Sequence, residues 1–285
     1  MELLGVIGNP ISHSLSPVMH SVALAEAKKQ AIYLPFLVQA EGLAAAIKGA
    51  ASLGFTGFNV TIPFKEQVVP LMTELTSEAK VIGAVNTIKF EKNGKIIGHN
   101  TDGQGFLASL ADELMEPKDL NCLVIGAGGA ARAIVSSLLS AGNDVCITNR
   151  TKERAEKLAK DLNVGASEHR ICNVVDLSVE GLKDVVAQVD LIVNTTSVGM
   201  APYFNQSPIP LELVTSKHVV VDIIYNPEET LLLKHARQVG CKAQNGVGML
   251  VWQAIKAWEF WWNETPPSKV SMFEAVQDAL RKTSP

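Results

Sequence analysis

Residues 122–131 read Cys122-Leu123-Val124-Ile125-Gly126-Ala127-Gly128-Gly129-Ala130-Ala131: an apolar run, a GxGxxA turn, and the small residues that open a helix. Each glycine has a separate use in a dinucleotide-binding turn. Gly126 permits the tight reversal, Gly128 lets the backbone approach a pyrophosphate, and Ala131 lets the helix pack close to its strand. The helix start adds free N–H groups and a positive potential that favour phosphate. A ligand-free glycine turn is the alternative reading, and the order strand, turn, helix weighs against it.

The next strand, Asp144 to Thr148, runs into Asn149-Arg150-Thr151-Lys152-Glu153-Arg154. An NAD site ends this strand with an acidic residue, about 20 residues past the first glycine, for the ribose 2′-hydroxyl. A guanidinium here suits a 2′-phosphate instead, because its paired donors match phosphate oxygens. NADP is therefore the expected cofactor. Arg150 and Arg154 as solvated charges are the alternative, although a helix start is where the dipole gives cations no help.

Outward from this turn, short β-rich runs alternate with helical stretches along the chain, the pattern of sheets flanked by helices. In the second half, strands fit Leu191 to Asn194 and Val219 to Ile223. Residues 247–262 are apolar but carry Lys256 and Glu259, so they predict a packed helix, and Trp258, Trp261 and Trp262 are read as core rather than as a ligand cage. The first half predicts strands Leu3 to Ile7, Ile32 to Val38 and Gly57 to Ile62, with a hairpin of Val85 to Phe90 and Lys95 to Gly98 around Asn93-Gly94. Helices are predicted from Ser16, over Leu43 to Ser52, from Phe64 after Pro63, and from Gln104 to Met115. The expected fold is α/β with two domains, an N-terminal mixed α/β sheet for the substrate and a Rossmann-type dinucleotide-binding domain. Boundaries are placed at 1–102 for the substrate domain, completed by C-terminal helices in 247–285, and at 103–246 for the NADP-binding domain.

With 285 residues, 47% hydrophobic and 19% charged, the chain has enough apolar content for two cores. A net charge of −4 gives no electrostatic reason to expect nucleic acid or an anionic membrane as partner. The four cysteines (Cys122, Cys146, Cys172, Cys241) have no CxxC spacing and no paired histidine, so no metal is expected and reduced thiols are. The start, Met1 to Gly5, shows no basic, long apolar leader, and a cytoplasmic location is expected.

Four polar stretches of the first half fall where loops should leave a small sheet: Ser14-Leu15-Ser16, Asn59 to Lys65, Ala84 to Thr87, and Asn100-Thr101-Asp102. In open α/β sheets ligands collect at the carboxyl ends of strands, where these are expected. If residues 14–16 are extended, Ser14 and Ser16 point the same way and their hydroxyls fit one carboxylate; Ser16 before Pro17 fits an N-cap equally well. Lys65, placed in a first helical turn, should have a lowered pKa, which suits proton transfer to a ketone being reduced. Asp102 either pairs with Lys65 or contacts a substrate hydroxyl, and a surface salt bridge explains both residues as simply.

Taken together, the chain resembles the shikimate/quinate dehydrogenase family over nearly its whole length. The carrying segments are Gly8 to Pro17, Asn59 to Lys65, Gly83 to Thr87, Asn100 to Gly103, Asn194 to Met200, Tyr225 to Pro227 and Gly246 to Gln253. The resemblance implies NADPH-dependent reduction of 3-dehydroshikimate to shikimate, with Lys65 and Asp102 as the catalytic pair. It implies that Ser14 and Ser16 bind the substrate carboxylate and that Thr61, Asn86 and Gln253 contact the ring hydroxyls. It assigns Gly126, Gly128, Gly129 and Ala130 to the pyrophosphate, and Asn149, Arg150 and Arg154 to the 2′-phosphate. Gly246 and Met249 would line the nicotinamide end, with Tyr225 nearby. Rival readings are a dual quinate/shikimate enzyme and a catalytically silent NADP-sensing regulator. Oligomeric state stays open between monomer and homodimer.

Overall fold

The structure is a computed structural model and describes residues 1–163 and 172–283. It divides into two compact units, Met1–Gly105 with the chain from Val251 onward, and Phe106–Leu250. The divisions lie three to four residues beyond the expected 102 and 246, inside two helices.

In the first unit the order is β1 (Glu2–Gly8), α1 (Ser16–Glu26), β2 (Ala31–Leu37), α2 (Leu43–Ser52), β3 (Gly57–Val60), β4 (Glu74–Leu75), α3 (Ser77–Ile82), β5 (Thr87–Phe90), β6 (Ile96–His99) and the start of α4 (Asp102–Glu113). Its sheet runs β2-β1-β3-β5-β6-β4, with only β5 antiparallel to its neighbours. Gly94, at φ +88, turns the β5–β6 hairpin as Asn93-Gly94 predicts. One face of the sheet packs Ile7, Phe58, Val60 and Ile88 against Leu43 and Ile47 of α2.

The second unit continues with β7 (Asn121–Ile125), α5 (Gly129–Ser140), β8 (Asp144–Thr148), α6 (Lys152–Asn163), β9 (Cys172–Val174), α7 (Val179–Val186), β10 (Leu191–Asn194), β11 (Val219–Asp222), α8 (Leu231–Gln238), β12 (Lys242–Gln244) and α9 (Val247–Trp262). Its sheet, β12-β11-β10-β7-β8-β9, is parallel throughout. Strands β10 and β11 are buried on both faces, as the apolar runs Leu191 to Val193 and Val219 to Val221 require. The order reverses between β7 and β10, the switch point where a doubly wound sheet takes its ligand. The remainder of α9 and α10 (Lys269–Thr283) return to the first unit, where Trp258 and Trp261 are almost fully buried and Trp261 Nε1 donates to Ile88 O at 3.0 Å. These tryptophans are core.

Three local expectations give way. Residues 62–68 form turns, followed by a short 3-10 turn at Val69–Leu71, so no α-helix opens at Phe64. An α-helix would need the Lys65 carbonyl for Val69 N–H; Val85 N–H takes it instead, at 2.7 Å. Ser16 is the first residue of α1, not its cap, which is Leu15 at φ −90, ψ −3. That αR conformation also removes the extended Ser14-Leu15-Ser16 geometry. Finally, Ala84 to Thr87 leads into the amino end of β5 rather than out of a strand. Because β5 runs antiparallel, Thr87 sits between Asn59 and His99, at the edge where β3 and β6 end.

Candidate active site

At that edge of the first sheet, Lys65 Nζ lies 2.5 Å from Asp102 Oδ2, with the side chains 17% and 6% exposed. Lys65 is thus not held at a helix N-terminus, and the dipole argument has no helix to act from. Its position comes from the backbone bond to Val85 and from the Asp102 carboxylate. Asp102 opens α4, its own N–H donating to Asn100 Oδ1 at 3.0 Å, while Asn100 Nδ2 donates to Ala84 O at 3.0 Å. The two segments flanking the pair are therefore tied to each other as well as to the pair.

Asn86 Nδ2 donates to Asp102 Oδ1 at 2.8 Å and to Thr101 Oγ1 at 2.9 Å, and Asn86 Oδ1 accepts from Thr101 N at 2.8 Å. At 2% exposure Asn86 has its amide turned to these protein partners. Thr61 follows β3, its N–H donating to Ile7 O at 3.0 Å and its methyl lying over Gly8, where a Cβ would come within 2.5 Å. Gln253 on α9 is buried, and Gly105 lets α4 approach it: a Cβ at 105 would lie 2.6 Å from Gln253 N. Ser14 and Ser16 stand at the start of α1, Ser14 Oγ accepting the Ser16 N–H at 3.4 Å. His13 is exposed.

In the second unit, Gly126 has φ +119, and a Cβ there would lie 2.3 Å from Thr195 Oγ1, so the turns after β7 and β10 meet at the switch point. Gly128 is the N-cap of α5, no side chain caps that helix, and a Cβ at 128 would meet nothing within 4 Å. Gly129 and Ala130 begin the helix. An uncapped helix start beside open space over Gly128 fits a pyrophosphate. Asn149 Nδ2 donates to Thr151 O at 2.8 Å, which folds the loop after β8. Arg150 and Arg154 are exposed, and neither pairs with a carboxylate among the described residues. Two such guanidiniums beside an uncapped helix fit the 2′-phosphate of NADP.

Tyr225 follows β11, half-buried, and burial pushes its phenol up. Gly246 is set by backbone packing, since a Cβ would lie 1.9 Å from Ile223 O. Met249 is buried in the apolar core of this unit with Phe106, Leu110 and Val221. A buried hub that no sequence motif marks lies beside these residues. Asp222 Oδ1 accepts from Asn194 Nδ2 at 3.1 Å and Ile224 N at 3.1 Å, and Oδ2 accepts from Thr230 Oγ1 at 2.8 Å. Desolvation raises the Asp222 carboxyl to about 6. A charged residue ending an apolar strand was the signal for it. Tyr33, Asn59 and Thr87, polar residues inside core strands, were a similar signal in the first unit.

Among the described residues no cluster of three or more His, Cys, Asp or Glu is arranged to hold a metal, and no helix is long and apolar enough to cross a membrane. A dinucleotide turn at the switch point of one sheet and a lysine–carboxylate pair at the edge of another define a nucleotide-dependent oxidoreductase.

Comparison with known proteins narrows this class. Residues 6–88 match the shikimate dehydrogenase substrate binding domain, and residues 109–227 match the shikimate / quinate 5-dehydrogenase family. The chain is 42% identical to shikimate dehydrogenase (NADP(+)) of Methanococcus aeolicus, over 98% of both chains. It superposes with a TM-score of 0.90 on a shikimate dehydrogenase crystallised in complex with NADP+, at 40% identity over 98% of this chain and 96% of that one. The Thermus thermophilus enzyme, crystallised with NADP(H) and shikimate, gives a TM-score of 0.88 at 35% identity, over 98% of this chain and all of that one. The chain belongs to the shikimate dehydrogenase family.

Proposed function

We propose that the protein interconverts 3-dehydroshikimate and shikimate with NADP(H), and that Lys65 and Asp102 are its catalytic pair. The observation that carries this reading is the 2.5 Å contact between Lys65 Nζ and Asp102 Oδ2, at the sheet edge where Thr61 and Asn86 also gather. NADPH when bound supplies the hydride that reduces the ketone. Gly126, Gly128, Gly129 and Ala130 are the residues to hold its pyrophosphate, and Asn149, Arg150 and Arg154 its 2′-phosphate; Tyr225, Gly246 and Met249 belong to the nicotinamide end.

A ketone that receives hydride becomes an alkoxide and needs a proton at its oxygen. The Lys65–Asp102 pair holds that proton and, in the reverse direction, takes it from the hydroxyl. Asp102 keeps the ammonium in place through Oδ2 while Asn86 occupies Oδ1, so the carboxylate cannot rotate freely. Ser14 and Ser16 bind the substrate carboxylate with hydroxyls at the start of α1, where backbone N–H groups add to the anion field. Thr61 and Gln253 complete the contacts to the ring hydroxyls, and Asn86, its amide bonded to Thr87, Thr101 and Asp102, serves the ring through the Asp102 carboxylate. The serine pair fits an unsubstituted carboxylate-bearing carbon better than that of quinate, which carries an added hydroxyl.

A steady-state assay with shikimate and quinate, each with NADP and NAD, tests this reading. Shikimate with NADP is expected to have a kcat/KM at least about tenfold above every other combination, the scale on which a pocket rejects one misfitted group. Comparable values for quinate would overturn the substrate assignment. Tight NADP binding with no turnover would favour the silent regulator, a reading the intact Lys65–Asp102 contact opposes.

A further inference from the structure

A line of buried polar side chains crosses the first sheet and ends on the catalytic pair. Tyr33 on β2 donates from its hydroxyl to Asn59 Oδ1 on β3 at 2.7 Å. Asn59 Nδ2 donates to Thr87 Oγ1 at 3.1 Å and to Asn86 O at 3.2 Å. Thr87 Oγ1 donates to Asn86 Oδ1 at 2.9 Å, and Asn86 Nδ2 donates to Asp102 Oδ1 at 2.8 Å. Tyr33, Asn59, Asn86 and Thr87 are at most 5% exposed. His20, buried on α1, stacks on the Tyr33 ring at 4.3 Å, and the Ser16 side chain reaches the same phenol.

The direction of every bond in this line is fixed. The Asp102 carboxylate only accepts, so it faces Asn86 Nδ2; the backbone N–H of Thr101 only donates, so it faces Asn86 Oδ1. In its shorter contact, 2.9 Å, the Thr87 hydroxyl donates to Asn86 Oδ1, since an amide oxygen only accepts; the Thr101 hydroxyl lies farther off at 3.4 Å, and the Thr87 lone pairs are left for Asn59 Nδ2. The carbonyl of Asn86 holds that Nδ2 in turn, and Asn59 Oδ1 is left for Tyr33. Burying these groups costs free energy that valine or isoleucine in the same strands would not. Stability alone gives no reason to place them there.

We propose that Tyr33, Asn59 and Thr87 are positioning residues for the Lys65–Asp102 pair. They lock the Asn86 amide with its hydrogens toward Asp102 Oδ1, and this aims Oδ2 at Lys65. A flipped Asn86 would set its carbonyl oxygen against the carboxylate and turn Asp102 away. The proposal rests on the reading of Lys65 and Asp102 as the catalytic pair, and that reading is checked separately in the same experiment.

The experiment compares kcat, both KM values and melting temperature for Thr87→Val, Thr87→Ser, Tyr33→Phe and Lys65→Ala in the full-length protein. Thr87→Val keeps the shape and loses the hydroxyl; kcat should fall about tenfold to a hundredfold, the usual cost of a misplaced catalytic group, with KM for NADP unchanged. Thr87→Ser should recover most of that loss, which a merely structural role would not require. Tyr33→Phe should lower kcat in the same sense but less, and it carries the test alone if Thr87→Val does not fold. Wild-type kcat in either folded variant, or equal damage from serine and valine, would overturn the proposal. Lys65→Ala with near-normal turnover would instead sink the pair itself.

Discussion

At the edge of the first sheet the polar groups belong to side chains: Lys65, Asn86, Thr87, Thr101 and Asp102 are bonded to one another, and all but Lys65 are buried. At the switch point of the second sheet they belong to the backbone of Gly128, Gly129 and Ala130 and to two exposed arginines. A group that must meet a reacting atom is held in a buried network with one allowed arrangement. In the proposed reading, a diphosphate that must only be bound meets a helix start, where glycine supplies access and the dipole supplies charge. The two units also bury opposite acid–base liabilities, His20 in the first and Asp222 in the second.

That contrast predicts opposite pH responses, and the histidine gives the larger one. Burial lowers His20 to about 3 from 6.5, so an unfolded chain takes up a proton that the folded one refuses. Stability from this group is complete above pH 6.5 and is lost as pH falls toward 3, on the order of 4 kcal/mol over the window. His20→Phe keeps a ring on Tyr33 and removes the titration; its melting temperature should fall less than that of wild type between pH 7 and pH 4. Parallel curves would show that His20 does not set the acid limit.

Asp222 works in the other direction. Its folded carboxyl, raised to about 6 from 3.8, gives most stability below 3.8 and loses it as pH rises through 6, a cost of about 3 kcal/mol at pH 8. Asp222→Asn keeps an acceptor for Asn194 and Ile224, so it should melt above wild type at pH 8 and lose that advantage by pH 4. A variant less stable at both pH values would mean that the charged form, with its three hydrogen bonds, is the one the fold prefers.

A smaller effect separates side-chain from backbone recognition within the second unit. Arg150→Ala should raise KM for NADP by roughly tenfold, since a hydrogen bond to a charged group contributes about 1.5–3 kcal/mol, and should leave KM for NAD unchanged. Equal losses for both cofactors would place Arg150 away from the 2′-phosphate.

The two sheets differed in how far the sequence displayed them. Apolar runs such as Leu191 to Asn194, each followed by a turn, announce parallel strands, and β10 begins and ends where its composition says. Gly126 announces its turn because a φ of +119 and the 2.3 Å approach of Thr195 Oγ1 leave room only for glycine, and Gly128 leaves the space at the helix start open. In the first unit Lys65, Asn86 and Asp102 stand out as residues, but their surroundings depend on bonds across long stretches of chain. Val85 N–H drawing the Lys65 carbonyl out of a helix is one such bond, and no local pattern near Pro63 reports it. Likewise Leu15 leaves the extended conformation because its carbonyl receives Val18 and Met19 at the start of α1. Tyr33 escapes notice because tyrosine is an ordinary strand residue, and Asn59 and Thr87, although they stand inside the polar stretches, carry no local sign of the bonds between them. Only their burial together shows that they share hydrogen bonds.

The most direct measurement is single-turnover and steady-state kinetics of Lys65→Ala alongside its dissociation constant for shikimate. With Lys65 acting on the proton in the transition state, kcat should fall by about 10²–10⁴ while shikimate binds nearly as before. A large loss of shikimate affinity at unchanged kcat would make Lys65 a binding residue and contradict the catalytic role assigned to the pair.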